Sequence, residues 1–245
     1  MIKLSDLLFG VSIKSVVGDI TSVMVEKIEF DSRKVFDSDL FIAIKGVTID
    51  GHLFIDSSII NGAKSVNYIG AGTIEYLLDA NNDFYFMEMN TRLQVEHPVT
   101  EMVTNTDLVK QQILAALGEK LNLSQKEIII KGHSIECRIN AEHPETFIPS
   151  PGKVKQYHQP GGLGVRIDSS IYQDSSIPPH YDSMIAKLIT FADNRIDCIQ
   201  KMKRALEEYV IMGIDTNIQL HQKIIESDEF LKGNYDINFM SRFKI

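Results

Sequence analysis

A mixed α+β chain is what this sequence predicts, on three observations. The stretch Asp83–Glu101, DFYFMEMNTRLQVEHPVTE, alternates polar and apolar residues as an extended segment does. Gly72–Asp79 (GTIEYLLD) reads as a strand before it, with Asn81-Asn82 as a two-residue hairpin turn. Further on, Asn194–Val210 repeats apolar residues at helical spacing, with Ile196, Ile199, Met202, Ala205, Leu206 and Tyr209 on one face.

Composition sets the outer bounds. A chain of 245 residues, 44% hydrophobic, can bury one or two ordinary cores. A net charge of −8 argues against a general nucleic-acid or acidic-membrane binder. No run reaches the roughly 18 apolar residues that a membrane-spanning helix needs. The opening MIKLSDLL has an acid where a secretory signal keeps its apolar core, so a cytoplasmic location is expected. Cys137 and Cys198 lie far apart with no CxxC spacing, which predicts reduced, structural thiols.

In chain order, residues 1–66 read as a small α/β unit. Ser5 caps a short helix ending near Gly10, Ser22–Phe30 and Leu40–Lys45 are strand candidates, and Gly51–Asn61 is a helix. After the hairpin, Thr106-Asp107 starts a helix to about Leu117, with Leu108, Ile113, Leu114 and Leu117 as its apolar stripe and Gly118 as its stop. Ile128–Lys131 and His133–Ile139 read as strands, the second with Ile135, Cys137 and Ile139 turned inward. Pro144–Gly152 is a loop, and Pro160–Arg166 is a glycine-rich bend that delivers Arg166. Tyr181–Phe191 is a strand, Thr216–Ser227 a helix, and the last residues form a tail.

The chemistry gathers on the hairpin. On an extended Asp83–Glu101, Glu88, Asn90, Arg92, Gln94 and Glu96 share one face while Tyr85, Met87, Met89, Leu93 and Val95 share the other. A turn centred on Asn81-Asn82 sets Glu75 opposite Glu88. Like charges directly opposite destabilise a sheet unless a cation lies between them. Two carboxylates and the Asn90 amide oxygen make a hard, all-oxygen set suited to Mg2+ or Mn2+. A solvated face on which Arg92 neutralises one glutamate stays open as the alternative.

EMNTRLQVEHPVTE, with GTIEYL before it and HSIECRINAE, PSPGK, GGLGVR and YDSMIAKL after it, resembles biotin carboxylase, an ATP-grasp enzyme of acetyl-CoA carboxylase and related carboxylases. The resemblance runs from about residue 67 to residue 243. It implies a partial ATP-grasp subdomain over 67–132 and the family's C-terminal domain over 133–245. It further implies ATP-dependent carboxylation of carrier-bound biotin with bicarbonate, the first step toward fatty acids. The metal would be held by Glu75, Glu88 and Asn90, and ATP by Leu77 and Glu88. Arg92, Gln94 and the Val95 backbone would hold bicarbonate, Glu96 would be the general base, and Arg166 would stabilise the enolate-like oxygen of biotin. The partners implied are the biotin carboxyl carrier protein, the carboxyltransferase and a second copy of the chain. The family's earlier glycine-rich lid and N-terminal domain have no counterpart in the sequence, so the expectation is a chain inactive on its own.

FDSRKVFDSDLFIAIKGVTIDGHLFI resembles instead the N-terminal domain of the Mur ligases of peptidoglycan synthesis. That resemblance implies a UDP-sugar contact at Ser32. The bare residues read equally as an Asx-type turn at Asp31-Ser32-Arg33. The GxxGK[ST] phosphate loop that such ligases need is missing from the sequence. The seam between the two resemblances falls near Lys64–Tyr68, which predicts a chimera of a Mur-like domain (1–66) and a partial carboxylase.

Overall fold

Alternating apolar side chains decide where this chain buries itself, and the computed structural model describes that for residues 68–79 and 84–243, leaving aside the side chains of Phe84 and Phe86. Of the earlier part it describes the backbone of four short strands: β1 (Ile2–Lys3), β2 (Met24–Val25), β3 (Lys27–Glu29) and β4 (Asp39–Phe41). β1 pairs antiparallel with β2, and β3 parallel with β4. Ser32, the helices expected at Ser5–Gly10 and Gly51–Asn61, and the Asn81-Asn82 turn lie outside the described residues.

Two units make up the chain: Met1–Gln94 with Val109–Lys120, and Val95–Leu108 with Leu121–Ile245. In the first, β5 (Thr73–Leu78) and β6 (Phe84–Asn90) form an antiparallel pair. Thr73 faces Asn90, Ile74 faces Met89 and Glu75 faces Glu88, as the hairpin reading requires. Beyond Glu75 the register slips, so that Tyr76 pairs with Phe86 and Met87 is the extra residue of a bulge. The strand stops at Asn90. The extended run expected as far as Glu101 is therefore corrected: a turn follows, then the helix α1 (His97–Thr104), because Pro98 in its first turn presets helical φ and lacks the N–H a ladder would need.

The helix after it, α2 (Leu108–Ala116), lies close to the expected span. Its stripe does not: Ile113 is 55% and Leu117 72% exposed. Ile128–Lys131 is not a strand either. Lys131 N–H donates to the Val103 carbonyl (2.8 Å), while Ile129 and Ile130 stand exposed. An apolar run without alternation has no face to commit to a sheet.

The second unit is built on an antiparallel sheet in the order β10 (Val165–Ser169), β12 (Met184–Ala192), β7 (His133–Asn140). Helix α3 (Arg195–Glu208) covers one face. Asn194 caps it, accepting a hydrogen bond from Asp197 N–H (3.0 Å). From the sheet come Cys137, Ile139, Ala186 and Leu188, and from the helix Ile199, Met202, Ala205 and Leu206. Each large side chain closed off this way contributes about 1.5–3 kcal/mol. Ile196, assigned to the inward face, is 72% exposed, since it sits in the first turn on the solvent side. The short strands β8 (Gly152–Lys153) and β9 (Gln156–His158) pair with β11 (Ser176–Ile177) and β13 (Val210–Met212). The helix expected over Thr216–Ser227 forms as α4 (Ile218–Glu226), and the tail expected after it is helical in part, with the short helices α5 (Asp228–Lys232) and α6 (Phe239–Arg242).

Candidate active site

On the first unit the two glutamates converge on one point. The Asn90 Nδ2 donates to Glu75 Oε1 and to Glu88 Oε1, 2.9 Å each. Gln94 Nε2 also donates to Glu75 Oε1. The amide thus stands where the sequence reading put a cation, between two carboxylates that would otherwise repel. Turning the Asn90 amide over would present its oxygen to the two carboxylates, giving three hard oxygen donors in one place. That donor set fits a divalent ion of the Mg2+ or Mn2+ type. Arg92 is exposed, with Nη2 3.4 Å from Asn90 Oδ1 and Nη1 3.2 Å from the Leu93 carbonyl, so its charge is free to meet an anion. Leu77 is 44% exposed, an apolar side chain left open beside the carboxylates.

On the second unit, the sheet face away from α3 carries charge. Register makes Arg138, Lys187 and Asp168 direct cross-strand neighbours, and likewise Glu136, Ile189 and Arg166. Helix α1 lies over β7 and β12, with Glu96 just ahead of it and Glu101 on its second turn. Glu96, the expected base, receives Arg138 Nη2 at 2.8 Å, an ion pair about half exposed on both sides. Lys187 Nζ donates to the Val95 carbonyl (3.0 Å) and lies 3.6 Å from Asp168.

Arg166 is held by two carboxylates. Its Nε and Nη2 fork onto Asp168 (2.8 and 2.9 Å), and its Nη1 reaches Glu101 Oε2 (2.7 Å). The bonds to Asp168 and then to Glu101 outweigh partial burial and raise its pKa further. Burial alone would push Asp168 up, but the bonds and charges of Arg166 and Lys187 hold its carboxyl below the ordinary range. Glu101 also accepts the Leu108 N–H (2.7 Å), so this carboxylate ties β10 to α1 and to the start of α2. Arg166, expected to reach toward biotin, places three of its N–H groups on two carboxylates. The guanidinium beside Glu96 belongs to Arg138, which the sequence alone does not single out. The signal was there, because Glu136 and Arg138 alternate with the inward Cys137 and Ile139. The Arg138 carbonyl is held in place by Asn217 Nδ2 (3.0 Å) and His221 Nε2 (2.8 Å).

The bend that leads into Arg166 depends on Gly164. Its φ is +73°, and a Cβ there would lie 2.5 Å from the Phe191 carbonyl oxygen. Among the described residues no cluster of three or more His, Cys, Asp or Glu side chains is set to hold a metal, and no helix is long and apolar enough to cross a membrane.

Residues 136–242 match the biotin carboxylase C-terminal domain. Residues 45–124 match the ATP-binding domain of the carbamoyl-phosphate synthase L chain, so that match crosses the seam expected at Lys64–Tyr68 and takes in part of the segment read as Mur-like. Biotin carboxylase of Haemophilus influenzae is 53% identical over 197 residues, 80% of this chain and 44% of that protein. The biotin carboxylase–β-γ-ATP complex from Campylobacter jejuni superposes with a TM-score of 0.73 at 48% identity, over 81% of this chain and 45% of that one. The biotin carboxylase domain dimer of Hydrogenobacter thermophilus 2-oxoglutarate carboxylase, with MgADP, ADP and bicarbonate, does so at 0.73 and 44%, over 77% of this chain and 42% of that one. Over about four-fifths of its length, then, the chain is similar to biotin carboxylases, of which it spans a little under half.

Proposed function

We propose that this chain is part of a biotin carboxylase and carries that enzyme's metal- and bicarbonate-handling residues. The observation that carries the reading is the meeting of Glu75 and Glu88 across β5 and β6, with Asn90 between them. Bicarbonate is a poor electrophile until ATP converts it to carboxyphosphate. Glu75, Glu88 and Asn90 would hold a divalent ion, which would supply charge neutralisation for the ATP phosphates. Glu88 thereby contributes to nucleotide binding, and Leu77 offers an apolar surface for the adenine.

Arg92 binds bicarbonate through its guanidinium fork, and Gln94 and the Val95 backbone help to orient it. Glu96 takes the bicarbonate proton. After carboxyphosphate releases CO2, the remaining phosphate can deprotonate the biotin ureido nitrogen. A guanidinium beside Glu96 then stabilises the enolate-like oxygen. Arg138 suits that role better than Arg166, since among the described residues its side chain makes one ion pair, with Glu96, against two for Arg166. Arg166 instead fastens α1 to the sheet.

The substrate would be biotin on its carrier protein, with a carboxyltransferase downstream and a second copy of the chain as partner. The other reading, a UDP-sugar-binding module at residues 1–66 with Ser32 as contact, rests on the DSR motif alone. Calorimetric titration separates the two. Heat with Mg-ATP and bicarbonate and none with UDP-MurNAc-dipeptide is the expected result; the reverse would overturn it.

A further inference from the structure

The sheet face under α1 holds more acid than base. Glu96, Glu101, Glu136 and Asp168 face Arg138, Arg166 and Lys187, which leaves one carboxylate without a cation of its own. That carboxylate is Glu136. Arg166 is shared by Glu101 and Asp168, Lys187 leans on Asp168 and Val95, and Arg138 sits on Glu96. Both Glu136 carboxyl oxygens are buried and accept no hydrogen bond. It stands two residues from Arg138 on the same face of β7 and beside Ile189, which is fully buried. A carboxylate closed into such a place costs far more ionised than neutral.

We propose that Glu136 is a positioning residue for Glu96: as a neutral acid it leaves Arg138 seated on Glu96, and when ionised it draws Arg138 and Lys187 to itself. The proposal deepens the carboxylase reading, since it takes Glu96 as the base. Burial, set against the charges of Lys187 and Arg138 and reinforced by Glu96 and Asp168, pushes the Glu136 carboxyl up to about 7. The exchange therefore falls in the neutral range. Below it, Arg138 stays on Glu96 and fixes it in place. Above it, Glu96 loses its cation and the contact that holds it in place. One proton on a group that touches no substrate would set how the one that does is held.

Carbon-detected NMR of the full chain, labelled at glutamate and arginine, tests this without any variant. The expected result is a Glu136 carboxyl that titrates near pH 7, with the Glu96 carboxyl and the Arg138 guanidinium shifting over the same range. In Glu136→Gln those two shifts near pH 7 should vanish while Arg138 stays on Glu96. A Glu136 carboxyl titrating in the ordinary glutamate range overturns the proposal, as does one titrating near pH 7 with Glu96 and Arg138 unmoved. Bicarbonate added to the same sample reports on the parent reading separately. If it leaves the Glu96 signal unchanged while the Glu136 step still moves Arg138, the base assignment fails and the exchange stands.

Discussion

Glu75 and Glu88 are direct cross-strand partners, and one amide nitrogen, Asn90 Nδ2, lies 2.9 Å from a carboxylate oxygen of each. Two like charges brought face to face on a two-stranded sheet carry a cost that a fold has no reason to keep. The amide offsets part of it, and a divalent ion would offset all of it.

Arg166 and Glu101 should matter for stability. Their 2.7 Å pair joins β10 to α1, and Glu101 is only 10% exposed. Arg166→Ala leaves that carboxylate short of its strongest donor, at a cost of roughly 2 kcal/mol. Urea unfolding followed by circular dichroism reads it, and a loss below about 0.5 kcal/mol would mean the pair is only a surface contact.

The Asn194 cap is a second local test. Asn194→Ala removes the acceptor for Asp197 N–H at the start of α3, which packs the main core. A loss of about 1 kcal/mol is expected in the same unfolding measurement. Leu188→Ala, which opens a hole under that helix where Leu188 is fully buried, should cost about 2–5 kcal/mol.

Stability should also depend on pH through Glu136. Its folded carboxyl is raised to about 7, above the 4.5 expected in an unfolded chain. Below pH 4.5 both states keep the proton. Between 4.5 and 7 the folded state keeps it while the unfolded state gives it up, so stability falls as pH rises through that window and then levels. With allowance for screening, this group's share is roughly 1–2 kcal/mol. Glu136→Gln should flatten that part of the profile and be the more stable protein at pH 8.

The cysteines should be inert. Burial, with smaller contributions from Glu136 and Cys198, pushes the Cys137 thiol up to about 12, and burial likewise raises Cys198. Neither should react with a thiol reagent at pH 8 until the protein is unfolded.

The pairing of Glu75 with Glu88 was legible in the sequence from the alternation of the two strands, although the Asn81-Asn82 turn used to set it lies outside the described residues and the pairs beyond the bulge, such as Leu78 with Phe84, run one residue out of that register. The bulge at Met87 was not, since an extra residue leaves the alternation of its neighbours unchanged. Arg92, Gln94 and Glu96 were read as one row on a strand, whereas Pro98 converts the chain to a turn and helix before the row is complete. Arg138 was hidden by its own regularity. On a strand with Cys137 and Ile139 inward it looked like a solvated partner, and only the pairing with Lys187 and the packing of α1 set it against Glu96. Arg166 stood out because a glycine-rich bend announced it, yet Asp168, two residues on, and Glu101, distant in sequence, neutralise it.

The most direct test is Mn2+ binding to the full chain in the presence of Mn-compatible nucleotide, followed by electron paramagnetic resonance. Wild-type chain should immobilise the ion, and Glu75→Gln and Glu88→Gln should each weaken its binding at least about tenfold. Equal binding by all three proteins, or none by the wild type, would contradict the account.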